Sequence, residues 1–301
     1  MARTFQFLTV DVFTGRRFSG NPLAVFPDAR GMTARQMQQL AREFNYAEST
    51  FVLPPGNRAH TARVRIFTPM DEIPFAGHPN VGTAFVLASL KKNKKRSTLL
   101  FEEGAGLVAV DLMRDRRGRV TGAMLTAPQP LQVGDRIPAQ TVARCLGIEP
   151  SGIVSARHVP TVASVGLPFV IAEVTRDALG RAQADVQAFR DAATLHPTRG
   201  LRFSVFYYAR LADTRMQARM FAPLSGVPED PATGSANCAL AGLLARLAPE
   251  QDLVLDLDVR QGVEMGRPSR LRAVAEKKNG AVTRIRVGGR CALVMAGRIS
   301  L

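Results

Sequence analysis

EDPATGSANCALAGLLARLA, residues 229–248, is the stretch on which the reading of this chain turns. Asp230 followed by Pro231 is a helix-start signal: a carboxylate at the N-cap accepts free backbone N–H groups, and proline at the first helical position has no N–H to lose. The run that follows is too apolar for a solvated face, so Asp230 is expected to cap a buried helix. Most Asp-Pro starts are structural caps and nothing more. This one has a counterpart. Residues 75–90, FAGHPNVGTAFVLASL, lead through Gly77-His78-Pro79 into a second helix without a polar face, expected from Pro79 to about Leu90.

The match extends upstream. Arg65-Ile-Phe-Thr-Pro69 lies over Arg219-Met-Phe-Ala-Pro223, sharing Arg, Phe and Pro, and a two-residue gap then sets His78-Pro-Asn-Val-Gly-Thr-Ala84 over Asp230-Pro-Ala-Thr-Gly-Ser-Ala236. Gly20-Asn-Pro22 and Gly166-Leu-Pro168 each open an apolar strand. Two copies at a spacing of about 150 residues mean a duplication rather than a solenoid. The expected architecture is therefore α/β, in two similar halves, residues 1–126 and 127–301, with the boundary in the Pro-rich segment 127–130. A last strand that crosses back to the first half is compatible with the pattern.

If the halves pack about a pseudo-two-fold axis, two helix starts could face one cleft. Free N–H groups and the positive dipole end make each start a site for a carboxylate or similar anion. Gly77, Gly82, Gly234 and Ser235 would let a ligand approach the backbone closely, with Asn80 and Thr233 beside them as further binding candidates. His78 and Asp230 differ at the matched position, which suggests two proton-handling side chains with different jobs. The plainer alternative is a turn residue for His78 and a cap for Asp230.

Along the chain, residues 5–13 and 23–26 read as strands about the Gly20-Asn21-Pro22 turn. Thr33 and Gln36 form a capping box that opens a helix with Met37, Leu40, Ala41 and Phe44 inward, ending at Asn45. Residues 47–53 read as a strand with Glu48 on the face of Thr50 and Val52. A carboxylate there is either an edge residue in an ion pair or a proton carrier whose pKa burial raises. Residues 62–67, 99–112 and 122–125 read as strands, 138–146 as a helix, and 160–174 as strand-like. A helix is expected across 178–193, then strands at 203–209 and 214–221, and C-terminal strands clearest at 285–287 and 291–296.

Composition bounds the answer. The chain has 301 residues, 46% of them hydrophobic, and its apolar runs are far short of a membrane span. With no signal-peptide pattern, a cytoplasmic protein is expected. Cys145, Cys238 and Cys291 fit neither a disulfide framework nor a zinc pattern, and no metal is expected. The formal charge of +15 admits a nucleic-acid surface or an attraction for small anions. Its clusters, Lys91, Lys92, Lys94, Lys95, Arg96 and then Arg114, Arg116, Arg117, Arg119, fall at expected turns without interleaved aromatics, so solvated loops are the better reading.

Taken together, residues 10–26 (VDVFTGRRFSGNPLAVF), 45–55 (NYAESTFVLPP), 65–84 (RIFTPMDEIPFAGHPNVGTA) and 219–236 (RMFAPLSGVPEDPATGSA) resemble the phenazine-biosynthesis PhzF-like isomerases, relatives of diaminopimelate epimerase. The resemblance implies two halves, each a curved, mostly antiparallel sheet or barrel around a central buried helix, with the active site between them. It implies that Glu48 is the acid/base that moves a proton on a small carboxylate such as a dihydro-hydroxyanthranilate, without a cofactor. His78, Asp230 and Ser235 would bind and polarise the substrate, and a homodimer is plausible. Epimerases of this fold carry cysteines in the helix-start loops. Here those loops have none, which disfavours a two-thiol amino-acid racemase, the alternative within the fold; a basic binding module for nucleic acid or protein with a degenerate cleft is the alternative outside it.

Overall fold

The protein's structure, a computed structural model, describes residues 3–90, 96–197 and 203–301. The basic residues Lys91, Lys92, Lys94 and Lys95 lie outside them. The chain divides into two compact units, Met1–Pro128 with Gly288–Leu301, and Gln129–Val287, so the chain's last strand leaves the second unit and ends in the first.

The first unit contains β1 (Thr4–Val12), β2 (Asn21–Phe26), α1 (Ala34–Phe44), β3 (Glu48–Leu53), β4 (Ala62–Phe67), β5 (Glu72–Ile73), α2 (Gly77–Leu90), β6 (Thr98–Glu103), β7 (Gly106–Arg114) and β8 (Val120–Thr126). Residues 99–112, expected as one strand, are the two arms of a hairpin that reverses before Gly106, whose φ of +114° suits glycine. β1 pairs antiparallel with β2, β2 parallel with β3, β3 antiparallel with β4, β4 parallel with β6, and β6–β7–β8 run antiparallel. The end of the last strand pairs with β1 on one side and β8 on the other, which closes the ring. Gly122 is required at that seam, since a Cβ there would stand 2.0 Å from the Gly289 carbonyl oxygen.

α2 fills the ring, with Gly77 through Leu87 all buried, as a helix without a polar face must be. α1 covers the outside. Its capping box and its end at Asn45 are as the sequence predicts, Asn45 being left-handed, and Met37, Leu40 and Ala41 pack with Phe26, Phe51 and Phe67. The period of two along β3 sorts its side chains: Phe51 turns to the α1 cluster, while the Thr50 hydroxyl meets Thr83 of α2 at 2.8 Å. Glu48, on the face of Thr50, therefore belongs to the α2 side.

The second unit contains β9 (Gln132–Arg136), α3 (Ala139–Leu146), β10 (Ile153–Val154), β11 (Thr161–Ser164), β12 (Pro168–Val174), α4 (Arg176–Arg181), α5 (Val186–Leu195), β13 (Val205–Arg210), β14 (Arg215–Ala222), β15 (Val227–Glu229), α6 (Gly234–Leu247), β16 (Leu253–Gln261) and β17 (Ser269–Lys278), and β18 (Ala281–Ser300) starts in it. The single helix expected across 178–193 is two, because Thr175 and Asp185 each cap a separate start. These helices and α3 share a cluster with Phe189, Phe203 and Tyr207, and α6 packs on β11, β12, β16 and β17.

Pairing repeats step for step. β12–β13 parallel, β13–β14 antiparallel, β14–β15 antiparallel, β14–β16 parallel and β16–β17 antiparallel reproduce β2–β3, β3–β4, β4–β5, β4–β6 and β6–β7. The matched arginines do the same job in each copy. Arg65 holds Glu72 by two bonds of 2.7 and 2.5 Å and lies 5.1 Å over Phe67; Arg219 holds Glu229 at 2.8 and 3.0 Å and lies 4.9 Å over Phe221. Each bidentate pair pins the short strand that leads into the central helix.

Candidate active site

In the first unit, the parallel pairing of β2 and β3 sets Leu23 opposite Glu48 and brings the start of both strands beside the first turn of α2. Glu48 Oε2 lies 3.4 Å from His78 Nε2, with the glutamate side chain 17% exposed and the histidine 4%. The other ring nitrogen, Nδ1, is 3.3 Å from the Asn21 side-chain amide nitrogen. Nε2 is the ring nitrogen that faces Glu48. Burial pushes the pKa of His78 down to about 3, against a smaller upward pull from the Pro22 backbone, so the ring is neutral. Gly20 makes this possible. Its φ is +71° and a Cβ would meet the Val12 carbonyl oxygen at 2.3 Å, so only glycine turns the chain tightly enough to deliver Asn21 to the imidazole.

Gly77 and His78 are the first two residues of α2, and Asn80 the fourth; the Asn80 amide donates back to the Ala76 carbonyl at 2.9 Å. Gly82 corrects the sequence reading. A Cβ there would stand 2.6–3.2 Å from the side chains of Leu23, Val12 and Val10, so its missing side chain lets α2 seat against β1 and β2 rather than admitting a ligand.

In the second unit, Asp230 does not cap α6. The helix starts at Gly234 with Thr233 as its N-cap residue, and the Thr233 hydroxyl, instead of capping, donates to Asp230 Oδ2 at 2.6 Å. The repeat register shifts accordingly. Counted from the first helical residue, Gly77 matches Gly234, His78 matches Ser235 and Asn80 matches Asn237, and Asp230 belongs to the longer lead-in that precedes α6. Asp230, Thr233, Gly234 and Ser235 are nonetheless one buried group. What holds them is Gln261 at the end of β16. Its Nε2 donates to the Asp230 carbonyl and the Thr233 hydroxyl, both at 2.9 Å, and its Oε1 accepts from the Thr233 backbone and from Asn237 at 3.1 Å. The Asn237 amide also donates to the Thr233 carbonyl at 2.9 Å.

Asn21 and Gln261 are the residues that sequence reasoning missed. Asn21 was legible as part of a turn motif, but nothing local ties it to a histidine 57 positions away. Cys238 is buried in α6, where desolvation raises its thiol pKa and leaves it unreactive.

A family model for phenazine biosynthesis-like proteins matches residues 10–297. An uncharacterised isomerase of Mesorhizobium japonicum is 37% identical over 302 residues, which cover 99% of each chain. The trans-2,3-dihydro-3-hydroxyanthranilate isomerase of Pseudomonas aeruginosa is 37% identical over 298 residues, 98% of this chain and 99% of that one. Among solved structures, the PhzF-family phenazine biosynthesis protein of Bacillus anthracis superposes with a TM-score of 0.86 at 23% identity, covering 99% of both chains, which shows the shared fold. The chain belongs to the phenazine biosynthesis-like PhzC-PhzF family and is an isomerase.

Proposed function

We propose that this isomerase moves a proton on a small carboxylate-bearing substrate of the dihydro-hydroxyanthranilate class, with Glu48 as general acid/base and without a cofactor. The observation that carries the reading is the Glu48–His78 pair, 3.4 Å apart at the first turn of α2. Glu48 removes a proton from an acidic C–H of the substrate and returns a proton to another carbon on the same face, so the product is an isomer and the enzyme ends as it began. Neutral His78, with Nε2 toward Glu48, orients the carboxylate and adds no charge that would trap the proton. The first-turn N–H groups hold the substrate carboxylate, and dipoles fixed in advance are worth several kcal/mol in a transition state. In the second unit, Asp230, Thr233, Gly234 and Ser235 are assigned to substrate binding, with Asp230 handling charge or a second proton.

Glu48→Gln tests the assignment. It keeps the size and removes the base, so turnover of trans-2,3-dihydro-3-hydroxyanthranilate is expected to fall by about 10²–10⁴ with the melting transition intact. A Glu48→Gln enzyme as active as the parent ends the assignment. Thiol alkylation is expected to leave activity unchanged, because both helix-start loops lack cysteine. Inactivation by alkylation would favour a thiol racemase instead.

A further inference from the structure

Glu103, the last residue of β6, is a carboxylate that the reaction above does not use. Among the described residues neither of its buried oxygens has a hydrogen-bond partner at normal distance, and the group that acts on it is the Asn80 amide. A carboxyl this buried, with one amide acting on it, is poorly compensated as an anion. The duplication supplies a comparison. Glu103 ends β6 and Gln261 ends β16, strands that hold the same place in the two pairing orders. Each faces the asparagine in the fourth position of a central helix, and each asparagine donates to the carbonyl four residues back, Ala76 or Thr233. Gln261 brings a donor and an acceptor to its helix start. A carboxylate brings two acceptors, whereas a carboxylic acid brings one of each, as Gln261 does in accepting from Asn237 and donating to the Asp230 carbonyl and the Thr233 hydroxyl.

We propose that Glu103 is a positioning residue that works as a neutral acid, fixing the first turn of α2 through Asn80 as Gln261 fixes the first turn of α6 through Asn237. Burial supports the protonated form, since it pushes the Glu103 pKa up to about 8. The ionisable groups around it leave it uncompensated. His78 on α2 is neutral, Arg65 of β4 is engaged by Glu72 of β5, and Glu102 is held by His60 and the Gly56 and Asn57 backbone, leaving Arg63 on the wall of the cavity of about 650 Å³ that Glu103 also borders. Ionisation would set a negative charge beside the turn that receives the substrate carboxylate. The kinetic consequence rests on the isomerase reading; the protonation state does not.

Two readouts test the proposal. In protein labelled with ¹³C at glutamate carboxyls, one resonance is expected to titrate near pH 8 and to vanish in Glu103→Gln. With trans-2,3-dihydro-3-hydroxyanthranilate, kcat/KM of the parent is expected to fall above pH 8, chiefly through KM. Glu103→Gln, which installs the other unit's residue, is expected to remove that alkaline limb, and Glu103→Leu to lower kcat/KM at least tenfold at pH 7. A Glu103 carboxyl that titrates between pH 4 and 5, or an alkaline limb that survives in Glu103→Gln, overturns the proposal. An enzyme inactive on this substrate whose Glu103 titrates near pH 8 refutes the substrate reading and leaves the neutral acid standing.

Discussion

His78 and Glu103 are both buried beside the first turn of α2, and burial moves their protons in opposite directions. His78 stays neutral in the folded chain down to about pH 3, while an ordinary imidazole takes a proton below 6.5. Between those values the unfolded chain binds the proton and the folded one does not, so His78 makes stability fall as pH drops from 6.5 toward 3. Glu103 holds its proton up to about pH 8, against 4.5 for an ordinary glutamate. There the folded chain binds the proton and the unfolded one does not, so stability falls as pH rises from 4.5 to 8. Denaturant unfolding at pH 6 and pH 7.5 should show the parent losing stability relative to Glu103→Gln, by at most about 1.4 kcal/mol per pH unit. An equal pH response in both proteins would place Glu103 among ordinary carboxylates. His78→Phe keeps a ring in the pocket and removes the ring nitrogen that faces Glu48. Its kcat is expected to fall roughly ten- to a hundredfold with a smaller change in KM; unchanged kcat would reduce His78 to packing.

At the scale of elements, the central helices were the most legible feature, because a run with no polar side has only one place to go. The capping box of α1 was equally plain, since Thr33 and Gln36 are three residues apart and exchange both bonds locally. The Asp230 cap failed for a reason that sequence conceals. Gln261, from a strand 31 positions downstream, ties down the lead-in and delays the helix to Gly234. Gly82 likewise read as an opening for a ligand, although its neighbours are β1 and β2 side chains. Gly82→Ala should therefore cost about 1–3 kcal/mol of stability from overpacking, with KM of the surviving enzyme unchanged. A raised KM at unaltered melting temperature would return Gly82 to the binding site. Gly20→Ala, strained at φ +71° and against the Val12 carbonyl, should destabilise by a similar or larger amount and lower kcat as well, because Asn21 would no longer meet His78.

At the scale of the whole molecule, the duplication was readable from Arg65-Ile-Phe-Thr-Pro69 and Arg219-Met-Phe-Ala-Pro223, and the structure shows why those residues recur: each arginine clamps the glutamate of the strand that feeds a central helix. The repeat register across His78 and Asp230 was not readable, because the two lead-ins differ in length and only the helix starts reveal the offset. Both copies keep a histidine or serine after the first glycine and an asparagine two residues later, while the residue that supports the asparagine is Glu103 in one and Gln261 in the other. The role proposed for Glu48 is to carry the shifted proton. The most direct measurement is the isotope content of the product when trans-2,3-dihydro-3-hydroxyanthranilate is turned over in D₂O, followed by mass spectrometry for the parent and for Glu48→Gln. The parent is expected to form product in which the shifted proton is partly or wholly deuterium, or to return the substrate's own protium at the new carbon if the site is sealed, and Glu48→Gln to form either product about 10²–10⁴ times more slowly. Isomerised product at the parent's rate from Glu48→Gln would contradict the account.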